Sequence, residues 1–107
     1  MSKLYIAVLD GVPDHMVPCV VAHAVLGAHL QFDGVNEFYD DWLAHSFRKV
    51  ILKVNQKEFN KILSEADDWH SCHENSVCEG RECCIVVAPQ AEYPNVLKFA
   101  KMWKPNE

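Results

Sequence analysis

Residues 4 to 9 read Leu-Tyr-Ile-Ala-Val-Leu, residues 10 to 13 Asp-Gly-Val-Pro, and residues 17 to 32 Val-Pro-Cys-Val-Val-Ala-His-Ala-Val-Leu-Gly-Ala-His-Leu-Gln-Phe. The first run is apolar on both faces, as suits a strand in a sheet covered on two sides. Asp10-Gly11 and Pro13 stop it. In the third run Val17, Val20, Val21, Ala24 and Ala28 form one stripe at helical spacing, and Leu26 and Leu30 extend the apolar surface around it. Pro18 fits only the first turn of that helix, where its missing N–H leaves no bond unmade. Ala24, Gly27 and Ala28 are small enough to let the helix lie close to a sheet, and Asp33-Gly34 ends it. A buried strand feeding an amphipathic helix is the start of an α/β unit.

The rest of the chain continues the alternation. A more polar helix is expected from Asn36 to Ala44, with Phe38, Tyr39, Trp42 and Leu43 inward. Phe47 to Val54 reads as a strand. Asn55 followed by Glu58 resembles a capping box, and Phe59, Ile62, Leu63 and Ala66 give helical spacing after it. A short strand begins at Trp69, Asn75 to Gly80 is a loop, and Cys83 to Ala88 is a strand of the buried kind. Pro94 opens a last helix to Trp103, with Val96, Phe99, Ala100 and Trp103 inward. The order predicts one domain over residues 1–107. Its class is three-layer α/β/α, with a four-stranded, mostly parallel mixed sheet and helices on both faces, built from right-handed crossover units.

Ten Lys and Arg face fifteen Asp and Glu, for a formal net charge of −5. That balance favours solubility and argues against non-specific attachment to nucleic acid. The N-terminal residues lack the pattern of a secretory signal. Val17 to Leu30, interrupted by His23 and His29, reads as too short to span a bilayer. Five cysteines, an odd number without an export signal, point to reduced thiols and a cytoplasmic location.

His70, Cys72, His73, Cys78, Cys83 and Cys84 are zinc-ligand types within a short span. They contain no Cys-x-x-Cys, and Cys83 and Cys84 should face opposite sides of a strand, so no metal site is assigned. No cofactor is implied, since Asp10-Gly11-Val12-Pro13 lacks the repeated glycines of a phosphate loop. Cys83 is a candidate nucleophile with His73 or His23 as base. His23 otherwise reads as a packed, hydrogen-bonded histidine. Arg48, Lys49, Lys53, Lys57 and Lys61 form the basic concentration of the chain, read as a solvated face or as a contact for phosphate or an acidic partner.

Two stretches resemble the type 2 peptidyl-tRNA hydrolase family. Ala22-His23-Ala24-Val25-Leu26-Gly27-Ala28 is similar to the family's Ser-His-Ala-Ala-x-Gly-Ala segment. Trp69 to Pro89 keeps the spacing of its Asp-Ala-Gly-x-Thr loop, a loop glycine (Gly80) and an apolar strand ending in Pro. Trp42 followed by Arg48 to Val54 matches a Trp-then-basic-strand pattern. The resemblance covers nearly the whole chain and implies the family's fold. The catalytic pattern differs: Met16 stands at the family's lysine, Ser71 at its aspartate, Asn75 at its first threonine and Cys83 at the second. Met16 supplies no charge, which implies absent or weak hydrolysis of peptidyl-tRNA.

The leading expectation is therefore a divergent domain that binds a small molecule, a tRNA-like end or a protein in the cleft at the carboxyl ends of its strands. Asp10, Asp14, His15, His23 and His73 are the candidate ligand-binding residues, and His15, Ser71, Asn75 and Cys83 the candidate catalytic ones. A second reading is a hydrolase of peptidyl-tRNA or aminoacyl esters in which His15, when protonated, replaces the lost lysine. A third is a homodimeric interaction protein with its seam at exposed aromatics near Trp42, Trp69 or Trp103.

Overall fold

The structure, a computed structural model, describes residues 2–73 and 82–105. Leu4–Leu9 forms the expected strand, β1, with strands on either side of it. Leu4, Ile6 and Val8 enter one core cluster and Tyr5 and Ala7 the other, which explains why no polar residue interrupts the run. A single 3-10 turn (Asp14–Met16) leads into α1 (Val17–Phe32), which is followed by α2 (Glu37–His45) and β2 (Lys49–Val54). Then come α3 (Gln56–Glu65), β3 (Trp69–His73), β4 (Glu82–Val87), α4 (Asn95–Phe99) and β5 (Lys101–Met102).

The strands form one mixed sheet in the order β3-β4-β1-β2-β5. Two expectations need correction. Among the described residues there are five strands, not four, and only β1 and β2 run parallel; β4 lies antiparallel to β1 and β3, and β5 antiparallel to β2. The cause is local. The connection between β3 and β4 spans only residues 74–81, shorter than the dozen or so that a parallel crossover needs, so β4 returns antiparallel and takes the place beside β1 that a further crossover unit would have filled.

Helices lie on both faces of the sheet. Val17, Val20, Ala24, Ala28 and Phe32 of α1 join Tyr39 and Trp42 of α2 over Leu4, Ile6, Val8, Cys84 and Val86. On the other face Phe59 and Ile62 of α3 and Leu97 of α4 cover Tyr5, Ala7, Leu52, Val54, Ile85 and Val87. Leu26 and Leu30 do not extend the buried stripe; they are 62% and 77% exposed, because the helical turn carries them to its outer side. With the preceding turn, Asp14–Phe32 is a 19-residue helical run, long and apolar enough by length and composition to cross a membrane, contrary to the sequence expectation. Its inner stripe is spent on the sheet, as in the core helix of a globular domain.

Asn36 caps α2 by accepting from the Tyr39 N–H at 3.0 Å. The helix ends where the N–H groups of Ser46 and Phe47 both donate to the Trp42 carbonyl, at 2.9 and 2.8 Å. Phe47 has φ of 64°, a left-handed conformation that cannot start a strand, so β2 begins at Lys49 rather than at Phe47. The predicted capping box of α3 is present: the Asn55 side chain accepts from Glu58 N–H at 2.8 Å, and the Glu58 carboxylate accepts from Asn55 N–H at 2.9 Å.

The expected last helix is shorter. It stops at Phe99, and the chain then extends to pair with β2, with Trp103 N–H donating to the Ile51 carbonyl at 2.8 Å. An open edge of backbone groups on β2 outweighs the helical tendency of this segment. Leu97 is the fully buried residue of α4, and Val96 and Ala100 pack against the core as expected, but Phe99 is 82% exposed.

Candidate functional site

Because β1, β2 and β3 point the same way, their carboxyl ends meet at one end of the sheet, where β4 begins. The connection from β1 to α1 is built there. Asp10 N–H donates to the Val54 carbonyl at 2.8 Å, tying the end of β1 to that of β2. Val12 turns inward, 4% exposed, and Met16 N–H closes a turn on the Pro13 carbonyl at 2.9 Å. This anchoring leaves Asp10 and His15 exposed and Asp14 half-buried on the surface of the turn, while Met16 packs against the core beneath α1.

Asp10, Asp14 and His15 all lie on the short connection from β1 to α1, the last two in its 3-10 turn. His23, two helical turns further on, is exposed rather than packed, which corrects the expectation of a core histidine. Ser71 does not join them. It stands opposite Ile85, whose side chain belongs to the α3-side core, and residues opposite each other in a ladder share a face. Ser71 is thus on the face of the sheet away from α1. Asn75, Cys78 and Gly80 lie outside the described residues, as does the side chain of His73.

The two adjacent cysteines also depart from expectation. Cys72 is opposite Cys84 and His73 opposite Glu82, so Cys83 is an extra residue, a bulge in β4. The bulge breaks the alternation, and Cys83 and Cys84 both belong to the core beneath α1, each fully buried. The Cys83 thiol lies 3.6 Å from the Cys72 carbonyl, donating to it. A thiol so enclosed does not suit attack on an external ester. Among the described residues no three His, Cys, Asp or Glu side chains gather as a metal would require.

His70 has a different task. Its Nδ1 is 2.8 Å from Oε1 of Gln31, whose Nε2 donates to the Trp69 carbonyl at 3.0 Å. The side of the ring bearing Nε2 rests against Gly27, where no β-carbon stands in the way. Glycine in the helix and histidine in the strand thus form one contact, fastening α1 to the edge strand β3.

A polar relay that the sequence reading missed joins α1 to α2. Tyr39, 2% exposed, shares a 2.8 Å hydrogen bond with Nδ1 of His29, and Nε2 of His29 is 3.7 Å from the Asp33 carboxylate. Burial, then the charges of Asp33 and Asp40, push the Tyr39 phenol above its ordinary pKa. His29 and Asp33 are four apart on one helix, a spacing that does signal contact. Tyr39 was legible only as an inward aromatic.

The tryptophans do not form an exposed seam. Trp42 is 1% exposed and donates through Nε1 to the Arg48 carbonyl at 2.7 Å, while half-buried Trp69 donates to the Leu63 carbonyl at 3.1 Å. The exposed aromatic rings are Phe38, Phe47 and Phe99 among the described residues.

Neither a scan against models of known protein families nor a search of curated proteins finds a match for this chain.

Proposed function

We propose that this chain is a divergent domain of the type 2 peptidyl-tRNA hydrolase kind, retaining a binding role at the carboxyl ends of β1 to β3 without the family's catalysis. The observation that carries this reading is Met16. At the position of the family's lysine, an uncharged thioether packs against the core. Ester hydrolysis places negative charge on the carbonyl oxygen, and one well-aimed donor is worth about 2.7–4 kcal/mol there. Ser71, at the position of the family's aspartate, falls on the other face of the sheet, and Cys83 is buried. The polar groups at this end, exposed Asp10 and His15 and half-buried Asp14, suit a small molecule or chain end bearing hydrogen-bond donors or positive charge better than bare phosphates.

The test is turnover of a peptidyl-tRNA by the purified chain and by Met16→Lys. Neither should cleave it, because a lysine restored at 16 still lacks the carboxylate and the hydroxyl of the family's pattern, whose positions hold Ser71, on the other face, and buried Cys83. Turnover by the unmodified chain that disappears in His15→Ala would replace this reading with the second, an ester hydrolase in which the His15 imidazolium stands in for the lysine.

A further inference from the structure

Charge is unevenly divided along this chain. Of its ten Lys and Arg residues, all but Lys3 and Arg81 fall within residues 48–61 and 95–104, where Glu58 is the sole acid. That carboxylate is engaged in the cap of α3, accepting from Asn55 N–H at 2.9 Å. The fold gathers the two segments: β2 and β5 are neighbours at one edge of the sheet, and α3 and α4 pack together beside them. Lys57, Lys61, Lys98, Lys101 and Lys104 are exposed, and no carboxylate among the described residues pairs with them. The remainder of the chain carries the other acids.

Apolar groups stand among these charges. Phe99 is 82% exposed and Met102 64%. Between α3 and α4 runs a shallow groove of about 350 Å³, lined by Lys57, Lys61, Asn55, Asn95, Val96 and Phe99 together with Glu58, the carboxylate held in the cap of α3. Phe99, which lines the groove, ends α4 two residues before β5.

We propose that this edge docks an acidic, extended peptide segment of a partner protein, added as a strand along β5 with an apolar side chain set against Phe99. Lysines alone on an edge strand serve to prevent unwanted pairing. That role does not call for an exposed Phe and Met beside them. A second copy of this chain joined edge to edge is disfavoured, since it would set two basic edges against each other. A long polyanion fits less well than a short acidic segment, because it would run onto the acidic remainder of the molecule, and that repulsion acts over roughly 8 Å at physiological salt. A peptide, unlike a nucleic acid, also satisfies the outer backbone groups of β5.

The probe is a fluorescein-labelled peptide of about ten residues alternating Glu with Val and Phe, a length matched to one added strand, followed by fluorescence anisotropy with the full chain. Saturable binding is expected. It should weaken at least about tenfold in Lys57→Glu/Lys101→Glu and in Phe99→Ala, and fall with added salt. Both variants alter exposed positions, and an unchanged melting temperature verifies that they fold. Slowed amide exchange at Met102, whose N–H faces away from β2, would support strand addition on binding. Three results would overturn the proposal: no saturation, equal binding of a peptide with Gln in place of Glu, or tighter binding of an oligothymidylate of similar length at the same residues. Concentration-dependent self-association abolished by Lys101→Glu would also overturn it, by making the occupant the acidic face of another copy.

Discussion

The imidazole of His70 fills the space beside Gly27 in which a β-carbon would sit. Swinging the ring aside would break its 2.8 Å contact with Gln31. Alanine at an open helical position is more stable than glycine by about 0.8–1.0 kcal/mol. At position 27 the preference should reverse, with Gly27→Ala costing about 1–3 kcal/mol through overpacking. Adding His70→Ala should recover part of the loss, as expected for residues in contact. Thermal melts of the single and double variants check this; a Gly27→Ala protein that melts above the unmodified one would show that α1 is not docked on β3 in this way.

Phe47 ends α2 with φ of 64° and stacks on Trp42 at 5.5 Å, with the Lys49 ammonium 3.4 Å from its ring centre. Replacement removes the ring contacts, but the backbone cost depends on the substitute. Phe47→Gly should be more stable than Phe47→Ala by about 1 kcal/mol, since only glycine takes this conformation without penalty. Urea denaturation of the two variants measures the difference. Equal midpoints would mean that the turn relaxes to a negative φ.

Stability should fall in alkali. Burial, helped by Asp33 and Asp40, holds the Tyr39 phenol above its ordinary value of 10.0, and burial, helped by Tyr93, does the same for Tyr5. The folded state therefore keeps protons that the unfolded chain releases from about pH 10 upward. The contribution is complete below that point and is lost as pH rises toward the folded values. Urea midpoints between about pH 8 and 11 should decline, with a smaller slope in Tyr39→Phe; an unchanged slope in that variant would assign the decline to other groups.

Thiol labelling should divide the cysteines. Cys19 is exposed, while Cys83 and Cys84 are fully buried. Iodoacetamide followed by peptide mass mapping should find Cys19 modified in the folded protein and Cys83 and Cys84 only in denaturant. Rapid modification of Cys83 under native conditions would show that its bulge opens, and would restore it as a candidate nucleophile.

Much of the fold was legible because local patterns carried it. The apolar run of β1, the stripe of α1 and the Asn55–Glu58 cap each depend on residues close in sequence, and each forms within a residue or two of the expected place. What escaped was set by pairing. Nothing in Lys101-Met102 announces a strand; it forms because the edge of β2 is available. The bulge at Cys83 is a mismatch of register between β3 and β4, which neither strand encodes alone. At the site, Asp10, Asp14 and His15 share one short connection and so are near neighbours by sequence, whereas Ser71 lies apart because the register of β3 on β4, which sets it opposite Ile85, decides its face.

The sheet also sets an order in which this molecule can assemble. β3 and β4 are separated only by residues 74–81, but β1 takes its neighbours from far along the chain, with Ala7 beside Leu52 on one side and Ile85 on the other. Each such pairing must close a long loop before it gains anything, whereas the β3–β4 hairpin closes a short one. Leu4–Leu9, the most apolar strand, thus waits longest for cover, and a ribosome-bound chain ending before residue 82 would present one bare flank of β1. That interval, rather than the finished domain, is when this protein is most exposed to aggregation and to chaperones.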